Sequence, residues 1–312
     1  MKFGVIIHGG AWDIPDNVVN DHLNGVQEAC EIANKLLRDG ISSLDAVEAA
    51  ISTMEHNSTF DAGKGSFVNQ IGEVEMDAII ATEGFQFGAV CAVQNISNPI
   101  KLARLVMEKT EHHILVGKGA NIFAEEMGIP MVAPESLLVG RELERYYKIK
   151  GLSSFSAKNT FRDSKRKRNG MGTVGAVCLD KFGKISIGVS TGGTPHKRSG
   201  RVGDTPLWGA GAYIEPSIGA AATGYGEDII KVLLTYKAVE FAKIEPTLNK
   251  AATRAIIELK RVNGLGGVIM LDQNEVGFDF NTPRMAFAFQ IENNKPIVGI
   301  DPEDARREKK EF

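Results

Sequence analysis

Apolar runs in this sequence come in closely spaced pairs, and this spacing constrains the fold more than any other feature. Val174–Leu179 and Ile185–Ser190 are separated by a short segment that contains the turn Lys181-Phe182-Gly183-Lys184. Phe67–Asn69 and Glu73–Ile80 flank a glycine turn in the same way. Strands this close in sequence pair antiparallel through a tight turn, so the pattern predicts β-hairpins.

The helical segments are also grouped. Apolar residues recur at helical spacing in Asp21–Leu37, from Ser43 to about Met54, in Tyr225–Ala242 and in Asn249–Leu259. A further helix is predicted at Asn98–Lys109. The remaining strands are predicted at Phe3–Ile7, Phe87–Val93, His113–Val116, Trp208–Ile214, Ile218–Ala222, Gly267–Leu271, Glu275–Phe278 and Met285–Gln290. This grouping disfavours a βαβ alternation and predicts an α+β fold in which helices cover antiparallel sheets.

The composition excludes several classes of protein. With 312 residues, 43% hydrophobic and 24% charged, the chain can bury a large core, and we expect one domain over residues 1–312. The net charge of −3 gives no electrostatic reason to expect a nucleic-acid partner. The apolar start Met1–Ile7 is too short for a secretory signal, and no apolar run reaches the about 18 residues of a membrane span. We therefore expect a cytoplasmic protein with no membrane partner.

The cysteines bear on the compartment, and the one basic run bears on possible partners. Cys30, Cys91 and Cys178 are isolated, which predicts buried thiols in a reducing compartment rather than disulfides or a zinc site. The basic run Lys165–Arg168 lies in a polar segment, residues 148–172, which we predict to be a mobile linker. A basic run can also be a localisation or nucleic-acid patch, but this charge is confined to one segment of a mildly acidic chain.

The linker ends at an abrupt apolar run, Gly172–Asp180, whose second residue is Thr173. A threonine hydroxyl is a poor nucleophile unless a base removes its proton. If the chain were cut between Gly172 and Thr173, the new α-amine would have a pKa near about 8 and would be that base. The other interpretation of Thr173 is an ordinary residue at the start of a β-strand.

Three glycine-rich loops that carry hydroxyls or charges follow this strand, at Ser190–Gly193, Gly200–Asp204 and Thr223–Glu227. In the second loop, Arg201 offers a planar fork for a carboxylate and Asp204 offers an acceptor for an ammonium group. A surface salt bridge is the alternative interpretation of that pair. Together with Thr173 the three loops form one candidate site.

Several motifs occur in a fixed order from residue 3 to about residue 290. They are IIHGGAW, FDAGKGS with EVEMDA, GTVGAVCLD, STGG, GRVGD and ATGYGE. In this set and order, the chain resembles the plant-type asparaginase and isoaspartyl peptidase family of N-terminal-nucleophile hydrolases.

The resemblance implies a fold and an activity. The fold would be a four-layer αββα sandwich, formed by a chain that cuts itself into residues 1–172 and 173–312. The reaction would be hydrolysis of L-asparagine and of β-aspartyl (isoaspartyl) dipeptides, with release of L-aspartate. The family pairs two cleaved protomers, so the expected assembly is (αβ)2.

The resemblance also implies roles for the candidate residues. Thr173 would be the nucleophile and Thr191 its hydrogen-bonding partner. Thr223 and Gly224 would stabilise the negative charge on the substrate oxygen. Arg201 and Asp204 would hold the α-carboxylate and the α-ammonium of the substrate, and Gly226 would line the pocket.

One loop of the family often wraps a sodium ion with backbone carbonyls, which would be structural rather than catalytic. Its residues here include Glu55, Phe60, Asp61 and Ala62. The family usually has Asn where this chain has Asp61, so a negative charge is expected close to the nucleophile. No organic cofactor is expected. His8, in the HGG motif near the expected site, is predicted to be a hydrogen-bonded core residue.

Other functions remain open at this point. A glycosylasparaginase is disfavoured by the missing secretory signal and by Gly172, where that enzyme has Asp. The threonine endopeptidase taspase is disfavoured because it has a much longer insertion around its cleavage site. An inactive scaffold protein of the same fold is disfavoured because Thr173, Thr191, Arg201, Asp204 and Thr223 are all present.

Overall fold

The computed structural model describes residues 2–161 and 172–304. The strands are β1 Gly4–Trp12, β2 Met76–Thr82, β3 Gln86–Val93, β4 Ile114–Val116, β5 Val174–Leu179, β6 Ile185–Thr191, β7 Ala212–Glu215, β8 Ile218–Gly224, β9 Gly266–Asp272, β10 Val276–Phe280, β11 Arg284–Ile291 and β12 Ile297–Gly299. The α-helices are α1 Val19–Arg38, α2 Ser43–His56, α3 Pro99–Lys109, α4 Gly117–Glu126, α5 Pro134–Leu137, α6 Gly140–Lys150, α7 Gly226–Val232, α8 Leu234–Ala242 and α9 Leu248–Lys260. The predicted α+β class is confirmed.

The described strands form two sheets. The larger has the order β12-β11-β1-β5-β6-β2-β3-β4, and the smaller has the order β10-β9-β8-β7. Neighbouring strands are antiparallel except β3 and β4, which are parallel. The predicted hairpin of β5 and β6 is present, with Val174 opposite Ser190.

Successive side chains of a strand enter different cores, because they point to opposite faces of the sheet. In β1, Val5 and Ile7 pack in the core that includes apolar residues of α1 and α2, whereas Ile6 lies in the core between the two sheets. In β8, Ala221 faces the larger sheet, and Ala220 packs in the core that includes α8 and α9. Strands buried on both faces explain why the sequence shows apolar runs rather than a polar-apolar alternation.

Several predicted elements differ from the structure. The single helix expected over Tyr225–Ala242 is two helices, α7 and α8, because Leu233 between them has a left-handed backbone with φ 52°. The apolar period continues across the break because both helices bury residues in one core. Strand β1 continues through the HGG motif to Trp12, with an irregular register between His8 and Ala11.

Other differences lie at element ends. The first arm of the predicted 67–80 hairpin forms only one bridge, Val68 with Val74. The strand expected at Trp208–Ile214 is limited to β7, and α4 was not predicted. Residues 148–150 belong to α6, and Ala157–Phe161 forms a short 3-10 helix. Most of the remaining linker, including Lys165–Arg168, lies outside the described residues, so its mobility stays a prediction.

Two general features bear on function. All three cysteines are buried free thiols. Within the described ranges, every helix is too short or too polar to cross a membrane.

Candidate active site

Thr173 and Thr191 meet at one edge of the larger sheet. Thr173 precedes β5 and Thr191 ends β6, and the antiparallel register of these strands places the two residues side by side. The Thr173 hydroxyl donates a hydrogen bond to Thr191 Oγ1 at 2.9 Å. Both residues are buried, with Thr173 8% exposed. A hydroxyl held in this way has a fixed direction and little water around it.

The hydrogen-bond chain continues from Thr191 to Asp61. The Thr191 hydroxyl donates to Asp61 Oδ2 at 3.3 Å, and Thr191 Oγ1 also accepts the Gly193 N–H at 2.9 Å. Asp61 is fully buried, and its Oδ1 accepts the Phe67 N–H at 2.9 Å. Burial raises the pKa of the Asp61 carboxyl to about 8. Two hydroxyls thus connect Thr173 to a carboxyl group that titrates near neutral pH.

The peptide bond before Thr173 is also held on both sides. The Gly172 carbonyl accepts the Asp61 N–H at 3.3 Å, and the Thr173 carbonyl accepts His8 Nδ1–H at 3.1 Å. Gly10, with φ 99°, packs directly on Gly172, where an added Cβ would lie 2.3 Å from Gly10 Cα. Only glycine fits at position 172 without a movement of the backbone.

His8 is a buried, hydrogen-bonded residue, as the sequence predicts. Burial lowers its pKa to about 3, so the ring is neutral at physiological pH. An added Cβ at Gly175 would lie 2.2 Å from His8 Nε2, which shows how closely the ring packs on β5. His8 therefore supports the start of β5.

Thr223 and Gly224 are the last two residues of β8. Thr223 contacts β1, the strand that pairs with β5. The Thr223 Oγ1 accepts the Ala11 N–H at 3.3 Å, and its side chain is 1% exposed. Gly224 has φ 142° and lies against Gly266 of β9, which leaves no space for a side chain. Because Ala11 uses the acceptor side of Thr223, the hydroxyl proton of Thr223 is directed elsewhere.

Arg201, Asp204 and Gly226 lie close together. An added Cβ at Gly226 would be 2.7 Å from Asp204 Oδ1 and 3.0 Å from Arg201 Nη2. Asp204 is buried, and its Oδ2 has no hydrogen-bond partner within residues 2–161 and 172–304. Burial raises the pKa of Asp204 to about 7, and the positive charge of Arg201 opposes that rise.

Sequence reasoning missed the ion pair of Arg201. The guanidinium donates to Glu227 through Nε at 2.9 Å and through Nη2 at 2.8 Å. Glu227 is part of the ATGYGE motif, so a carboxylate in a glycine-rich loop was the available signal. The pair with Glu227 uses two of the five guanidinium N–H groups of Arg201.

A buried lysine was also missed. Lys197 is 4% exposed, and its Nζ donates to the Glu75 carbonyl at 2.7 Å. Burial lowers its pKa, and the negative charge of Asp77 opposes that effect. An added Cβ at Gly193 would lie 3.0 Å from Lys197 Nζ and 3.3 Å from Arg201 Nη1. Lys197 therefore adds positive charge beside the arginine fork.

The loop expected to bind sodium is folded around its own polar groups. The Glu55 carboxylate accepts from Ser190 Oγ at 2.7 Å, from Ile100 N at 3.0 Å and from Asn98 Nδ2 at 2.9 Å. The Glu55 carbonyl accepts the Lys64 N–H, and the Asp61 carbonyl accepts the Gly192 N–H. Each carbonyl has a second lone pair, so these contacts are compatible with a cation.

That loop also includes Phe60 and Ala62, which are buried. No group of three His, Cys, Asp or Glu side chains suited to a metal ion occurs in the part of the chain that the structure describes.

The site contains buried hydroxyls at strand ends, the guanidinium of Arg201 and the buried carboxylate of Asp204. An amide hydrolase needs groups of these kinds.

Residues 1–300 match the model of a protein family described as asparaginase. The isoaspartyl peptidase/L-asparaginase of Danio rerio is 42% identical over 273 residues, which cover 86% of each chain. The protein of the same name from Homo sapiens is 40% identical over 305 residues, which cover 96% of each chain.

A plant-type L-asparaginase from Pyrococcus abyssi is 40% identical over 316 aligned residues, which cover 95% of this chain and 99% of the relative. The chain belongs to the asparaginase family. The family that the sequence motifs predict is thereby confirmed.

Proposed function

We propose that this chain is an isoaspartyl peptidase and L-asparaginase that acts through Thr173. It would hydrolyse L-asparagine and β-aspartyl dipeptides and release L-aspartate. The names of relatives at 40–42% identity support the reaction class. The single observation that carries the proposal is the buried hydrogen bond from Thr173 to Thr191, directly after the Gly172 peptide bond.

The proposed enzyme activates itself by cleavage between Gly172 and Thr173, which gives residues 1–172 and 173–312. Cleavage creates an α-amine on Thr173, and this amine takes the proton of the hydroxyl during turnover. Thr191 keeps the hydroxyl oriented. The amine later activates the water that releases the acyl group.

The substrate is held by its charged end. Its α-carboxylate binds the N–H groups of Arg201 that Glu227 does not use, and its α-ammonium binds Asp204. Gly226 keeps this place open, since any side chain there would contact both residues. The developing oxyanion is stabilised by the Thr223 hydroxyl and the Gly224 N–H, each worth about 3 kcal/mol.

Further features follow from the same proposal. The two packed sheets with helices on their outer faces form the four-layer αββα sandwich of N-terminal-nucleophile hydrolases. The linker of residues 148–172 opens after cleavage, and two cleaved protomers pair as (αβ)2 in the cytoplasm. The loop with Glu55, Phe60, Asp61 and Ala62 holds a structural sodium ion by backbone carbonyls.

Intact-mass measurement of the purified protein tests the proposal, with Thr173→Ala as the control. Two pieces, residues 1–172 and 173–312, are expected in the wild type, together with release of aspartate from a β-aspartyl dipeptide. The Thr173→Ala protein should stay whole and inactive. An uncut wild-type chain without activity would contradict the proposal and favour an inactive scaffold.

A further inference from the structure

The first cleavage faces a problem that later turnover does not. The base proposed for turnover is the α-amine of Thr173, but in the uncut chain this nitrogen belongs to the Gly172–Thr173 peptide bond. An amide nitrogen is not a base at physiological pH. The precursor therefore needs another group to accept the proton of the Thr173 hydroxyl.

Two hydrogen bonds among the described residues form a connected route for that proton. The Thr173 hydroxyl donates to Thr191 Oγ1 at 2.9 Å, and the Thr191 hydroxyl donates to Asp61 Oδ2 at 3.3 Å. Every donor in this chain points away from Thr173 and towards the carboxyl group. Gly193 N–H also donates to Thr191 Oγ1, which holds the central hydroxyl in place.

The same residue also contacts the bond to be cut. The backbone N–H of Asp61 donates to the Gly172 carbonyl oxygen at 3.3 Å. Negative charge develops on this oxygen when a hydroxyl attacks the carbonyl carbon, and an N–H donor already aimed at it stabilises that charge. Asp61 thus faces the proton and the oxyanion of one reaction.

We propose that Asp61 is the proton acceptor of self-cleavage, acting through Thr191, and that its backbone N–H stabilises the oxyanion on Gly172. This inference depends on the self-cleavage proposed above. It gives the uncut chain a base that is present before the α-amine exists.

The steps balance as follows. Thr173 Oγ forms a bond to the Gly172 carbonyl carbon, while its proton moves to Thr191 and the Thr191 proton moves to Asp61. The carbon–nitrogen bond then breaks, and the nitrogen takes back one proton to become the free amine of Thr173. Water hydrolyses the resulting ester, which gives the Gly172 carboxylate and restores the hydroxyl.

Charged groups from two sides set the ionisation of Asp61. Glu142 and Arg145 face it from α6, and Lys197 faces it from the loop after β6. Burial and Glu142 raise the pKa of the carboxyl, while the Phe67 N–H, Lys197 and Arg145 lower it.

The test follows self-cleavage of newly made protein. Full-length chain from cell-free translation is kept in one buffer, and the appearance of the two pieces is timed on gels. Asp61→Asn is compared with the wild type. Asp180→Asn is the matched control, because Asp180 is also a buried aspartate but lies after the opposite end of β5, where it accepts hydrogen bonds from Ser43 N and Lys184 N.

Asp61→Asn should cleave about 100-fold more slowly than the wild type. Asp180→Asn should cleave at the wild-type rate. Thermal unfolding identifies any variant that fails to fold. Thr191→Val, which breaks the same route at another residue, should show the slow rate, and Thr191→Ser, which keeps the hydroxyl, should cleave close to the wild-type rate.

Two results would overturn the inference. If Asp61→Asn or a folded Thr191→Val cleaves at the wild-type rate, Asp61 is not the acceptor, while self-cleavage itself stands. If the wild-type chain is never cut, the proposed function fails and this inference fails with it.

Discussion

The two halves of the candidate site are built in different ways. The nucleophile half consists of Thr173 and Thr191, whose hydroxyls lie at strand ends, and of Asp61, a buried carboxyl in the loop before β2; hydrogen bonds join the three. The binding half consists of Arg201, Asp204 and Glu227, which are charged groups in glycine-rich loops and on α7. Strand register places Thr173 beside Thr191, and electrostatic attraction holds Arg201 beside Glu227. Substitutions should therefore stop the reaction in the first half and weaken binding in the second.

Thr191→Val should give the largest effect of these changes. It removes the hydroxyl that orients Thr173 Oγ1 but keeps the shape of the side chain. Turnover of L-asparagine should fall about 100-fold or more, because a misplaced reacting group can cost about 10²-fold and because slow self-cleavage leaves little active enzyme. Steady-state kinetics checks this, and Thr191→Ser, which keeps the hydroxyl, should retain most of the turnover. A Val variant as fast as the Ser variant would remove Thr191 from the mechanism.

Arg201→Ala should affect binding and leave self-cleavage intact. Loss of the guanidinium removes charged hydrogen bonds worth about 1.5–3 kcal/mol, so KM should rise about 10–100-fold. Kinetics with L-asparagine measures KM, and intact mass confirms that the variant is still cut. Unchanged turnover at low substrate concentration would contradict the role of Arg201.

The binding half should also respond to pH. Asp204 must be ionised to bind an ammonium group, and burial raises its pKa to about 7. As the pH falls through that value, the carboxyl becomes neutral, so KM should rise about tenfold between pH 8 and pH 6. The measurement is the pH profile of kcat/KM, with Asp204→Asn expected to show a high KM at every pH.

Glu227→Gln should give the smallest effect. The amide keeps one hydrogen bond to Arg201 but removes the charge that competes with the substrate carboxylate. KM should change only about two- to fivefold, because the pair is partly exposed and such pairs contribute about 0–1 kcal/mol. A change as large as that of Arg201→Ala would mean that Glu227 positions the arginine.

The sequence predicted the elements that depend on local pattern. Strands β5 and β6 and helices α2, α3 and α9 are present close to their expected limits, because apolar period and caps lie within the segments themselves. The break at Leu233 was missed because apolar residues on both sides enter the same core. The apolar period indicates which residues are buried, and residues on both sides of Leu233 are buried although the helix is interrupted there.

In the candidate site, the types of functional residue could be predicted from the sequence, but their hydrogen-bond and ion-pair partners could not. Thr173 beside Thr191 follows from the hairpin register. The pairing of Arg201 with Glu227 and the burial of Lys197 depend on contacts between loops far apart in sequence. No local pattern carries that information, and the link from Thr191 to Asp61 across 130 residues is of the same kind.

The order of strands in the larger sheet has a consequence for a chain cut after Gly172. Strand β1, from the first piece, lies between β11 and β5, both from the second. Cleavage would therefore leave the two pieces interleaved and hydrogen-bonded on both sides of β1. Once such a protein unfolds, its recovery becomes an encounter between two molecules and depends on concentration. Folding of the uncut precursor involves one molecule, whereas refolding of the cleaved enzyme would require its two pieces to associate.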